Sequence, residues 1–329
     1  MNSQKHLRVF VIGASSGGYR AIKEIFAEIP RGLNAAFMVV LHSAFNATNT
    51  FTSFLNKNID LDVFEAEHEM EIKPDTVILA KPNNHLFITK SRILLSKGPR
   101  ENLFRPSIDV LFRSAAVAYQ NQCVGILLTG RLNDGTNGLD AIQKCGGLTV
   151  IENPETAEFN GMPLFAKEAI DIDYEVNLED MAKTIKEIAA LDLPPKKEVP
   201  HSIVRENEIA MRIKSQISLE DELGTQVPIS CASCGGPLWE MKNGVSKRYR
   251  CHVGHAFTQE ALLKSQDASI EEALWVSIRT LEEKRTLMKS MLKEYEKKGL
   301  KQLMKSNASK IKEISDHIEN IRTVLQLND

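Results

Sequence analysis

"VFVIGASSGGYRA", residues 9–21, is an apolar run that breaks at small residues and a glycine pair before an amphipathic helical pattern begins. A strand that turns tightly into a helix is the opening unit of an α/β fold. Two chemistries fit the turn. As a cofactor loop, Gly13, Gly17 and Gly18 would let the backbone approach a pyrophosphate, with Ser15 and Ser16 as spacers. As a hydrolase elbow, Ser15 or Ser16 would be the reacting group and the glycines would clear space around it. The turn alone does not choose between them.

The same alternation continues downstream. "AIKEIFAEI", "AAFMVVLH", "TSFLNKNI", "TVILAKP", "SIDVLFRSAAVAY", "CVGILLTG", "GLDAIQKC" and "LTVIEN" follow in order. Continuous apolar runs alternating with helical patterns predict strands covered on both faces. The expected fold is therefore α/β: a three-layer, doubly wound, mostly parallel sheet of Rossmann-like type over residues 1–190. "HLFITKSRILLSKG" has a period of two and reads as a hairpin inserted into that scheme. Residues 191–229 carry Pro and charge clusters around one short amphipathic piece and read as a linker. A small cysteine-rich module is expected over 230–262. Residues 263–329 keep apolar positions three and four apart, pause at Gly299, and predict a helical hairpin or coiled coil.

Composition narrows the class of function. With 329 residues and 43% apolar content, the chain can fill a sizeable core. A formal net charge of −2 gives no basic excess for nucleic acid or an anionic membrane surface, so neither is expected as a partner. No apolar run approaches a membrane span and no signal peptide is visible, which predicts a cytoplasmic protein without membrane insertion. Of five cysteines, three crowd into residues 231–251, while Cys123 and Cys145 stand in apolar surroundings. That distribution suits metal ligation plus two buried thiols, not a disulfide framework.

In an open parallel sheet, reactive groups gather at the carboxyl ends of the strands. Three such ends carry chemistry: Ser15 and Ser16 after the first strand, His42 closing "AAFMVVLH", and Asp134 in "GILLTGRLNDG". A hydroxyl, an imidazole and a carboxylate are the set that nucleophilic acyl transfer requires. The dinucleotide reading lacks comparable support. A short-chain dehydrogenase with a GASSG-like turn would need a further glycine and a downstream Tyr-x-x-x-Lys pair, and here the only such pair, Tyr19 and Lys23, lies in the first helix.

With these residues in view, the chain resembles the CheB family of protein-glutamate methylesterases over roughly residues 7–190. The matching stretches are "IGASSGG", the strand ending in His42, "RPSIDVLF", "LTGRLNDG" and "GMP". The resemblance implies a three-layer α/β esterase that removes methyl groups from γ-glutamyl methyl esters on bacterial chemoreceptors, with glutamine deamidation as a side activity. It assigns the nucleophile to Ser15, the base to His42 in preference to His85, and the orienting acid to Asp134. It places Ser16 and the backbone N–H of Arg131 at the oxyanion. Beside that, Arg105 is expected to serve first in fixing a helix start near the site and, rather than Asp109, to be the one that touches substrate, with Met162 and Pro163 shaping the rim. Ser107 is the expected N-cap of the helix that follows Pro106, and Asp109 is expected to help fix that helix start. No cofactor is needed for this chemistry. Two features depart from the family pattern: Arg131 and Leu132 stand where many members have Met-Gly, and Leu41 replaces a glutamine. The form expected is one without a receiver domain ahead of the catalytic strand.

"CASCGGPLWEMKNGVSKRYRCHVGHAF" sets Cys231 and Cys234 two residues apart and returns with Cys251, His252 and His255. A Cys-x-x-Cys knuckle with a third sulfur and an imidazole predicts a tetrahedral zinc held by Cys231, Cys234, Cys251 and His255, while the adjacent His252 points away. Four protein ligands make a structural metal. Such a tail resembles that of CheB-like proteins without a receiver. Lys and Arg residues are few here, so the module is expected to be structural and to dock a partner, not nucleic acid. The stripe Ile270, Leu274, Ile278, Leu281, Met288 and Leu292 suits internal packing or a homo-oligomer built through the helices. The expected partner is a methylated chemoreceptor or related signalling protein. The rival reading is an inactive esterase-like scaffold or sensor in a signalling complex.

Overall fold

A computed structural model describes residues 6–42, 48–211, 224–242 and 244–326. Residues 212–223 of the expected linker lie outside these. The chain divides into two compact units, Met1–Leu262 and Leu263–Asp329.

In the first unit, seven parallel strands stand in the order β3-β4-β2-β1-β7-β8-β9. The central one is β1 (Arg8–Ala14), followed on one side by β2 (Ala35–Leu41), β4 (Thr76–Leu79) and, at the edge, β3 (Asp62–Glu65). On the other side follow β7 (Cys123–Leu127), β8 (Leu148–Glu152) and β9 (Tyr174–Val176). Side-chain alternation explains why the strands are apolar throughout. Val9 and Val11 face one layer with Ile108, Leu111, Phe112, Leu139 and Ile142, whereas Phe10 and Ile12 face the other with Ala21, Ile22, Ile25, Phe26 and Ile185. The first layer holds the helices α3 (Ile108–Tyr119) and α4 (Thr136–Lys144), and the second holds α1 (Gly18–Phe26) and α6 (Leu178–Ala190). Each fully buried Ile or Phe contributes roughly 1.5–3 kcal/mol by leaving water. The strand order reverses between β1 and β7, so a crevice opens at the carboxyl ends of β2, β1 and β7. "HLFITKSRILLSKG" forms the hairpin of β5 (His85–Ile88) and β6 (Ile93–Ser96), which pair antiparallel apart from the main sheet.

Within the segment read as a linker, α7 (His201–Ala210) is the amphipathic piece. The next strand begins at Gly224, ahead of residue 230. The cysteine-rich module is a four-stranded antiparallel sheet of β10 (Gly224–Ser230), β11 (Pro237–Met241), β12 (Arg248–Cys251) and β13 (Ala256–Thr258). It belongs to the first unit, together with the seven-stranded sheet. The second unit is a helical hairpin made by most of α8 (Gln259–Lys297) with α9 (Lys301–Gln326). Ile278, Ile314 and Ile318 are buried between the two helices, with Leu281 and Met288 packed beside them. Ile270, at the start of the predicted stripe, is exposed, as are Trp275 and Leu287. No helix among the described residues is long and apolar enough to cross a membrane.

Candidate active site

Three consecutive features of the sheet bring distant residues together. Ser15 follows β1, and its N–H donates to Thr129 O at the end of β7 (3.0 Å). His42 follows β2, and its N–H donates to Ala14 O (3.1 Å). Gly17 adopts a left-handed φ of 78° at the start of α1, which lets the chain turn just after the serines. The result is a linear set of hydrogen bonds: Ser15 Oγ to His42 Nδ1 at 3.3 Å, and His42 Nε2 to Asp134 Oδ2 at 3.1 Å. Phe104 stacks on the His42 ring at 3.6 Å between centroids and 9° between planes, fixing the ring against rotation.

Asp134 is wholly buried and densely solvated by protein donors. Ser107 Oγ (2.9 Å), Asn102 Nδ2 (2.8 Å) and Asp109 N–H (3.3 Å) reach Oδ1, and Ile108 N–H (2.7 Å) reaches Oδ2. Burial by itself would raise the Asp134 carboxyl; the His42 hydrogen bond and charge, the Asn102 amide and the Ile108 N–H outweigh it and hold the group below its ordinary value. An ionised Asp134 can only accept, so Nε2 of His42 carries a proton, and in the neutral ring Nδ1 is the nitrogen whose lone pair faces Ser15. In that tautomer the arrangement can pass a proton from the Ser15 hydroxyl to Nδ1.

The helix start was expected to be capped by Ser107. It is capped instead by Asp134, because Ser107 makes no side-chain cap bond and spends its hydroxyl on the carboxylate. Asp109 lies in the same buried pocket, accepting Gly135 N–H (3.1 Å), Gly138 N–H (2.7 Å) and Asn102 Nδ2 (2.8 Å). Burial, then the neighbouring Asp134, push its carboxyl up to about 7.

The remaining sequence candidates fall into two groups. Met162 is fully buried beside Ser15: a Cβ on Gly130 would strike both the Met162 sulfur and Ser15 Cβ. Its N–H donates to Gly130 O (2.9 Å), so the "GMP" stretch braces the turn carrying Arg131. The Arg131 guanidinium is not aimed at the triad but lies over the Phe159 ring at 4.9 Å. Ser16 accepts at its carbonyl from Thr129 Oγ1 (3.0 Å). Arg105 is engaged elsewhere, with its guanidinium bonded to Asn83 Oδ1 (2.9 Å from Nε) and to the carbonyls of Lys97 (3.1 Å) and Gly98 (2.7 Å). These bonds brace the β5–β6 hairpin, in keeping with the structural role expected of Arg105. His85 is also committed, its Nε2 to Pro99 O (2.8 Å) and its Nδ1 to Ser107 N–H (3.3 Å), and burial lowers its pKa.

Cys231, Cys234, Cys251 and His255 form a second constellation, with ligand atoms all within 4.8 Å of one another. Cys234 Sγ and Cys251 Sγ are 3.7 Å apart, and Cys251 Sγ is 3.6 Å from His255 Nδ1. Sulfurs at about 2.3 Å from a tetrahedral zinc would be separated by about 3.7 Å, so the donor set fits that ion. His252 is exposed and outside the set.

Sequence reasoning missed what the module docks on. Arg248 and Arg250 of β12 are buried against the sheet domain and α7. Arg250 Nη2 reaches Glu101 (2.8 Å) and Glu206 (3.3 Å), Arg248 pairs with both oxygens of Glu206 (2.6 and 3.1 Å), and Arg113 bridges Glu101 (3.1 Å) and Glu206 (3.2 Å). Thr258 adds Oγ1 to Asn133 (2.8 Å), and Glu260 accepts Asn133 Nδ2 (2.6 Å), one residue from Asp134.

Comparison with known proteins is consistent with this geometry. The family described as CheB methylesterase matches residues 10–185. The catalytic domain of Thermotoga maritima CheB methylesterase superposes with a TM-score of 0.54 at 30% identity, covering 55% of this chain and 98% of that one. A Leptospira interrogans protein, provisionally named protein-glutamate methylesterase/protein-glutamine glutaminase, is 40% identical over 174 residues, or 53% of this chain and 90% of its own length. Protein-glutamate methylesterase/protein-glutamine glutaminase 3 of Shewanella oneidensis is 33% identical over 182 residues, 54% of this chain but 51% of that longer protein.

Proposed function

The chain belongs to the CheB methylesterase family, and from that premise we propose that it hydrolyses γ-glutamyl methyl esters on methylated chemoreceptors or related signalling proteins in the cytoplasm, with glutamine deamidation by the same machinery. Ser15 Oγ attacks the ester carbonyl while His42 Nδ1 takes its proton. Asp134 keeps the Nε2 proton in place and stabilises the imidazolium. The tetrahedral oxyanion is held by main-chain donors near Ser16 and Arg131. Collapse returns the His42 proton to the departing methoxide, releasing methanol and leaving an acyl group on Ser15. Water, deprotonated in turn by His42, then releases glutamate and restores the serine. With an amide substrate the same steps release ammonia.

The observation that carries this reading is the hydrogen-bonded series Ser15–His42–Asp134 at the sheet's switch point. Arg131 does not argue against it, since a main-chain oxyanion donor is independent of the side chain. Zinc held by Cys231, Cys234, Cys251 and His255 would be structural, closing its coordination with protein ligands and tying the ends of β10, β12 and β13 together. Association of copies through the exposed apolar positions Ile270, Trp275 and Leu287 of the helical hairpin belongs to the same proposal. The test is mass spectrometry of a methylated chemoreceptor fragment before and after exposure to the protein. Demethylation at glutamate should persist in Ser16→Ala and vanish in Ser15→Ala; retention in Ser15→Ala rejects the assignment.

A further inference from the structure

Asn102 lies where the four-stranded module meets the sheet domain, and its backbone N–H and both ends of its side-chain amide are used. Its backbone is left-handed at φ 53°, a conformation asparagine tolerates better than most residues. The backbone N–H donates to Ala256 O in β13 (2.9 Å). The side-chain Oδ1 accepts the N–H of Thr258 (3.0 Å), and Nδ2 donates to Asp134 Oδ1 and to Asp109 Oδ2, both at 2.8 Å. The two ends of a primary amide are nearly the same size, so packing alone does not fix which way it faces. Here the partners do. The Thr258 N–H can only donate, so it admits the oxygen end, and the NH2 end must face the carboxylates. The reversed amide would set its oxygen against two carboxylates and its N–H groups against a third N–H. A main-chain group 156 residues away in sequence thus dictates the amide's orientation.

We propose that Asn102 is a positioning residue for the Ser15–His42–Asp134 triad, and that the module acts on catalysis through it, by way of the Thr258 N–H. The proposal rests on the esterase reading. Asn102 is suited to the role because it places a donor on each of two buried carboxylates, Asp134 and Asp109, that share one pocket and would otherwise repel. Ser107 and the first N–H groups of α3 also bond Asp134. Asn102 is the group that ties Asp134 to the module. The four-stranded sheet is then part of the active-site framework, in addition to being a folded appendage.

The experiment is a double-mutant cycle in the full-length protein, with Asn102→Ala removing both amide donors and Thr258→Pro removing the N–H that orients them; Thr258→Ala, which keeps that N–H but loses the Oγ1 bond to Asn133, is the reference for the proline variant. Thermal midpoints are recorded for each variant. Asn102→Ala should lower kcat on methylated receptor fragments about ten- to a hundred-fold, the range for losing an outer-shell partner of a reactive group, with KM within about twofold. Thr258→Pro should lower kcat in the same way, and the double variant should be no worse than the poorer single one. A folded Asn102→Ala variant with wild-type kcat overturns the positioning role. Losses that multiply in the double variant overturn the link through Thr258. If the proline variant does not fold, Asn102→Ala alone still decides the positioning role. Failure of the esterase reading looks different: the unmutated protein releases no methanol. The cycle is then read on the rate at which a fluorophosphonate modifies Ser15, which needs an activated serine but no ester substrate. A wild-type chain that is inert to both probes refutes both ideas.

Discussion

Glu206→Gln should be among the most destabilising single substitutions in this protein, and the charge count of its pocket says why. Three guanidinium groups, Arg113, Arg248 and Arg250, meet two carboxylates, Glu101 and Glu206, with side-chain exposures from 1% to 11%. Glu206 alone contacts all three cations, at 2.6 to 3.3 Å. Neutralising it leaves three buried cations against one anion. Removing one partner from a buried ion network costs about 3–5 kcal/mol, against a total stability of roughly 5–15 kcal/mol for a folded domain. Arg250→Met leaves two charges of each sign and fills the volume with apolar atoms, so its cost should be smaller, about 1–2 kcal/mol. The assay is equilibrium urea unfolding at pH 7, followed by circular dichroism and by the fluorescence of Trp239, which is buried in the module. The pH dependence supplies a second reading. Burial would raise Glu206 and Glu101, but the surrounding arginines more than offset it, so both titrate below their ordinary value of 4.5. Their contribution is present above that value and is lost as pH falls through the lower folded values. Asp109, pushed up to about 7, acts with the opposite sign: its contribution falls as pH rises from 3.8 towards about 7. Glu206→Gln should flatten the acid-side loss. A Glu206→Gln protein within 1 kcal/mol of wild type (about 0.7 of a decade in the folding constant), or more stable than Arg250→Met, would refute this account of how the module is held.

His42→Ala should lower turnover by about 10⁴-fold with the fold intact, whereas His85→Ala, which removes two buried hydrogen bonds, should chiefly lower the thermal midpoint; the reverse pattern would exchange their roles. Gly130→Ala places a methyl group against Ser15 Cβ and the Met162 sulfur, so kcat should fall by about tenfold or more through displacement of the nucleophile, as steady-state kinetics will show. Elemental analysis of the purified protein should find one zinc per chain, and Cys234→Ser should lose it together with several degrees of thermal midpoint; full stability without metal would remove zinc from the structural account.

The sheet was legible because its strands are buried on both faces, and "LRVFVIGA" and "AAFMVVLH" have no polar residue to place at a solvent face beyond their ends. Ser15, His42 and Asp134 were legible for a related reason, since each follows a buried strand on a chain that reverses direction at that edge. The cluster of Cys231, Cys234, Cys251 and His255 announced itself by spacing. What stayed hidden depends on partners far apart in sequence. Arg248 and Arg250 look like a solvated strand face until Glu101 and Glu206 are brought to them. Ser107 has the sequence of a helix cap, but the buried anion Asp134 competes for its hydroxyl and takes over the capping. Arg105 has the chemistry of a substrate ligand, and only the fold shows its guanidinium occupied by Asn83 and two carbonyls. Asn102 carried no local signal, because its importance lies in joining Thr258 to Asp134.

The most direct test of the central claim is methanol release from methylated chemoreceptor fragments, measured side by side for the wild-type protein and Ser15→Ala. The account predicts release by the wild-type protein and none by the variant. Equal release by both, or none from a folded wild-type protein, would contradict it.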